Sequence, residues 1–102
     1  MAAHSMKRRP TPPGAMLNEL YLRPRGVTIS AFARAVGCSR KHMSDIVNDR
    51  ARMDSEISAR IGKVLGTSTR LWVNLQANID VWEAERCARK WKPKATYPAA
   101  AE

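Results

Sequence analysis

Residues 29–46 read Ile-Ser-Ala-Phe-Ala-Arg-Ala-Val-Gly-Cys-Ser-Arg-Lys-His-Met-Ser-Asp-Ile. Counting Ile29 as the first position, Ala33 is fifth and Gly37 ninth, and apolar residues fill the fourth (Phe32), eighth (Val36), tenth (Cys38), fifteenth (Met43) and eighteenth (Ile46). The fifth residue must be small if two helices are to cross closely there. The ninth must be glycine if the chain is to turn through positive φ between them. The other five are what two short helices need to share one core. Seven constraints met within 18 positions describe a helix-turn-helix, in which the second helix carries its N-terminal residues to the base edges of a DNA major groove.

Helix punctuation extends outward from this unit. Thr28 and Ser39 stand where N-caps are needed for helices over Ile29–Val36 and Arg40–Asn48. Pro13 suits the first turn of an earlier helix with Met16, Leu17, Leu20 and Tyr21 on one face, ended by Pro24 and Gly26. Asp54 caps a fourth helix, residues 55–65, with Ile57, Ile61, Val64 and Leu65 inward and Gly66 at its close. Ser68 caps a fifth, from Thr69 to about Lys90. The expectation is an all-α, five-helix domain over residues 13–91, between a flexible basic tail (1–12) and a flexible C-terminal tail (92–102).

On a helical wheel the fifth helix is apolar on two sides. Leu71, Trp72, Leu75, Ile79 and Trp82 fall in one arc. Val73, Ala77, Val81, Ala84 and Ala88 fall in another, with Gln76, Asp80 and Glu83 between them on one flank and Asn74, Asn78 and Glu85 on the other. One arc can cover the domain's own core. The other calls for a second surface, and a homodimer supplies it most simply.

Charge and composition narrow the function. The chain has 102 residues, 18 Lys+Arg against 9 Asp+Glu, and a formal net charge of +9. Residues 1–52 carry ten basic and three acidic residues, the remainder eight and six. Such a balance fits a polyanionic partner. Two cysteines, Cys38 and Cys87, are too far apart for a metal knuckle, and His4 and His42 are likewise distant, so neither a metal nor another cofactor is expected. Two histidines and no glycine-rich phosphate loop give little for catalysis, so the chain is not expected to be an enzyme. No apolar run is long enough for a membrane span and no signal-like segment opens the chain, which leads to a cytoplasmic expectation.

Arg40, Lys41, Ser44 and Asp45 stand on the outer face of the second helix of the unit. Arg and Lys donate to guanine O6 and N7, and Asp accepts from cytosine N4, which makes these four the expected base readers. Ser39, Asn48, Arg50 and Arg52 are the expected phosphate contacts.

Over about 75 residues the chain resembles the HigA-type antitoxin branch of the phage-repressor-like (XRE) helix-turn-helix family. Pro13-Gly14 before the first helix and LGTS…LWVNLQANIDVWE over residues 65–83 carry the narrower likeness. The resemblance implies a homodimer on palindromic operator DNA at its own promoter, and inactivation of a small basic, RelE-like mRNA-cleaving toxin. A stand-alone regulator without a toxin is the alternative. Two departures stand out. Ile29 replaces a Gln that touches phosphate in relatives, and Asn48-Asp49 replaces Asn-Gly, so Asp49 must adopt a helix-ending conformation or the turn must differ.

Overall fold

A computed structural model describes residues 8–99. Among these residues the chain forms five α-helices and no strand: α1 (Pro13–Leu17), α2 (Ile29–Val36), α3 (Arg40–Val47), α4 (Ser55–Leu65) and α5 (Thr69–Ala88). The four expected N-caps all act as such. Thr28, Ser39, Asp54 and Ser68 each accept, through a side-chain oxygen, the N–H three residues on, at 2.8–3.1 Å. Each cap satisfies a donor that the helix itself cannot, which fixes where α2 to α5 begin.

The first helix departs from its expected face. α1 widens into a π-helical turn at Asn18–Leu22 and tightens into a 3-10 turn at Arg23–Arg25 before Gly26 ends it. The wide turn advances the inward side by one residue, so Leu22 follows Leu17 into the core while Leu20 stays 58% exposed. Met16 and Tyr21 are half-buried, and the Tyr21 ring meets Trp72 edge-on at 5.5 Å.

Leu17, Leu22, Phe32, Val36, Met43, Ile46, Met53, Ile57, Ile61 and Trp72 make the core. Ala33 is buried where α2 and α3 cross, and Gly37, at φ 85°, turns the chain between them. Gly14 answers a different need. A Cβ there would lie 1.9 Å from the Ile46 carbonyl oxygen and 3.0 Å from the Val47 Cα, so α1 rests directly on the backbone of α3. On α4, Ile57 and Ile61 are buried but Val64 is exposed. Ser58 and Gly62 turn inward instead, bringing α4 close to the chain entering α5.

The two-arc reading of α5 needs correction. Trp72, Gln76 and Ile79 form the buried line, spaced i, i+4, i+7. Leu71 is exposed, Leu75 and Trp82 are half-buried, and Gln76, expected on a polar flank, lies in the core. Its burial has a cause: Gln76 Oε1 accepts the Met53 N–H at 2.8 Å, an otherwise orphaned donor in the α3–α4 connection. In the second arc Val73 is half-buried, and Ala77, Val81, Ala84 and Ala88 are exposed.

Candidate nucleic-acid interface

α3 is an eight-residue helix with one side buried. Met43, Ile46 and Val47 face the core, and Arg40 and Lys41 project from the first turn beside the Ser39 cap. Arg40 makes no ion pair with any described residue. Lys41 is 85% exposed at its side chain and donates to Asp45 Oδ2 at 3.0 Å, one helical turn on. Arg50 Nε reaches the other oxygen of that carboxylate at 3.3 Å. Hydrogen bonding from Lys41 above all holds the Asp45 carboxyl below the usual carboxylate range; desolvation opposes it, and Arg50 adds a lesser pull in the same direction as Lys41. Arg40, Lys41, half-buried Ser44 and Asp45 thus share one exposed side of α3, and Arg50 joins them through Asp45.

The expected phosphate contacts divide. Ser39 and Arg50 lie at the two ends of this face, the Ser39 hydroxyl being engaged as the cap. Asn48 Nδ2 donates to the Ser44 carbonyl at 2.9 Å and to Ser44 Oγ at 3.3 Å, closing the helix end. Arg52 turns away from α3 to pair with Asp80 on α5, whose other oxygen takes Gln76 Nε2 at 3.0 Å. Of the two expected alternatives, Asp49 adopts the helix-ending conformation, with φ 60°. Ile29 is half-buried against the core, in keeping with a residue that lacks the phosphate-touching amide.

Several ties that hold this face in place are invisible in the local sequence. Arg9 grips Asp49 with two nitrogens, at 2.6 and 3.4 Å, and Glu83 with its Nε at 3.2 Å. The segment before α1 is thereby linked to the end of α3 and to α5, and the guanidinium is held more basic than usual by Asp49 above all. Residues 1–7 of the expected tail, with His4 and Lys7, lie outside the described residues. Arg60 donates to the Val36 and Gly37 carbonyls at 3.4 and 3.3 Å and to Glu56 at 2.7 Å, bracing the turn before α3 from α4. Arg9 and its carboxylates are 40 and 74 residues apart, so no periodic signal could have paired them. Cys38 is half-buried and Cys87 exposed; burial raises the Cys38 thiol, with Arg60 opposing. No group of three or more metal-ligating side chains is present among the described residues.

This geometry has known counterparts. No protein-family model matches the chain. It is 37% identical over 84 residues to an HTH-type transcriptional regulator of Haemophilus influenzae, covering 82% of this chain and 78% of that one. It is 32% identical over 77 residues to antitoxin HigA-1 of Vibrio cholerae, covering 76% and 72%. The chain belongs to the HigA-type helix-turn-helix family. The Pseudomonas aeruginosa antitoxin HigA, solved with the higBA promoter, matches at TM-score 0.76 and 26% identity over 85% of this chain and 100% of that one. The HigA-type signature also acquires physical meaning. Pro13-Gly14 is where α1 meets the α3 backbone, and the Trp and Gln of residues 72 and 76 fill the core side of α5.

Proposed function

We propose that this chain is a DNA-binding antitoxin that represses its own toxin–antitoxin promoter and neutralises a small basic, RelE-like mRNA-cleaving toxin. The observation that carries the DNA half is the footing of α3. The helix is capped by Ser39, laid on a sealed core, braced by Arg60 and α1, and exposes Arg40 and Lys41 at the end that enters a major groove. A two-fold dimer would set two such helices about 34 Å apart in successive grooves of a palindromic operator. Arg40 and Lys41 then read guanines and Asp45 a cytosine, with Ser44 beside them. Ser39, Asn48 and Arg50 set register on phosphates, while Arg52, expected among them, is taken up by Asp80. Repression follows from occupancy of the promoter and requires no catalytic step, and such a protein works in the cytoplasm.

The alternative is a stand-alone regulator with the same DNA chemistry, favoured by the HTH-type regulators among its relatives. The test is a binding assay of Arg40→Ala on the operator and on random duplex. Loss of roughly 1–3 kcal/mol per bidentate contact on the operator alone supports base reading. Equal loss on both would make Arg40 a phosphate contact. Co-expression with the reading frame beside the gene decides the toxin half: relief of growth arrest supports the antitoxin, and absence of any toxic neighbour favours the stand-alone regulator.

A further inference from the structure

The positive charge of the second half of the chain is concentrated at one end. From Arg86 to Ala99 there are five basic residues, Arg86, Arg89, Lys90, Lys92 and Lys94, and no acidic one. Every residue from Ala84 to Ala99 is exposed. Two exposed rings accompany these cations, Trp91 between Lys90 and Lys92 at 68% exposure and Tyr97 after Lys94 at 91%. Arg86 is engaged, donating to Glu83 and lying over the Trp82 ring at 5.6 Å. The other four make no ion pair with described residues. After the Trp91 N–H bonds the Ala88 carbonyl, the chain runs without helix through Pro93 and Pro98.

A solvated charge run accounts for the lysines but not for two large rings held in water, one between Lys90 and Lys92 and one three residues past Lys94. A membrane surface would need an apolar face to insert, and the residues between the rings are Lys92, Pro93, Lys94, Ala95 and Thr96. Cations set along an exposed helix end and the irregular segment after it can follow phosphates, and exposed aromatic faces can stack on bases, which together are what an unpaired strand requires. A duplex hides those base faces. We propose that Arg86–Tyr97 is a second nucleic-acid site, one that takes single-stranded DNA or RNA without sequence preference. It is separate from the base-reading side of α3, because it begins where α5 has already left the core.

The test uses the full chain with labelled thymidine and uridine oligomers of about 20 nucleotides, operator duplex, and vesicles of phosphatidylserine and phosphatidylcholine. Trp91→Ala/Tyr97→Ala should weaken oligomer binding at least about five-fold and leave operator affinity and the unfolding midpoint unchanged. Replacing Arg89, Lys90, Lys92 and Lys94 by Ser should flatten the salt dependence on the oligomer by about 3 in logarithmic slope. Preference for thymidine or uridine tells whether DNA or RNA is the better ligand. Oligomer binding that survives loss of both rings overturns the proposal. So does capture of the tail by vesicles in place of oligomer, or loss of oligomer binding through Arg40→Ala as large as through the tail.

Discussion

The two halves of α5 belong to one continuous helix but rest on different support. In the first half Trp72 is fully buried, its indole N–H donates to Thr67 Oγ1 at 2.7 Å, and Gln76 and Ile79 continue the contact with the core. From Ala84 to Ala99 every residue is exposed, and the helix ends at Arg89 with ordinary right-handed angles and no glycine stop. The first half is shaped by what it touches. The second is held by the propensity of a Glu-, Ala- and Arg-rich sequence and by Glu83–Arg86 pairing at 3.1 Å. The same secondary structure is therefore tertiary packing at one end and local preference at the other.

Substitutions along the chain should separate the two regimes. The largest effect is expected for Trp72→Ala, which removes a sealed ring and leaves a cavity, costing about 3–5 kcal/mol in denaturant unfolding. A loss below about 1 kcal/mol would mean that α5 is not anchored there. Gln76→Ala should cost about 1–3 kcal/mol, because the buried Met53 N–H loses its acceptor, and hydrogen exchange at Met53 should quicken.

Arg9→Ala should have a smaller effect, visible chiefly in the acid limb. Hydrogen bonding from Arg86 first, then from Arg9, lowers the Glu83 carboxyl below its ordinary range. A carboxylate depressed in the folded state stabilises fully above its unfolded value and loses that contribution as pH falls through the folded one. Removing Arg9 should therefore flatten the fall in thermal midpoint below about pH 4.5 and leave the slope near neutrality unaltered. A variant whose acid limb matches the parent would show that the Arg9 bridges carry no weight in solution. Trp91→Ala should shift stability by less than about 0.5 kcal/mol; a larger loss would place that ring in the folded core.

Features legible in the sequence were those decided within a few residues. The caps at Thr28, Ser39, Asp54 and Ser68, the Gly37 turn and the outward side of α3 follow from local hydrogen bonding, sterics and periodicity. The left-handed Asp49 is one of the two outcomes that its place after α3 left open. What was hidden depended on distant partners. A wheel drawn over all of α5 assumes that apolar residues choose the inward face, whereas a backbone donor 23 residues away chose Gln76. A π turn, which no spacing rule anticipated, put Leu22 where Leu20 was expected. Arg52, a phosphate candidate by position, has Asp80 as a partner that only the fold brings near.

The missing side chain at Gly14 has a mechanical consequence. With no Cβ between them, α1 and α3 meet backbone to backbone, and the partner atom is a main-chain carbonyl that cannot swing aside as a side chain would. The seating of the groove-reading helix is therefore set by a residue that lies far from the DNA face and touches no base, and even alanine at residue 14 would have to lift one helix off the other.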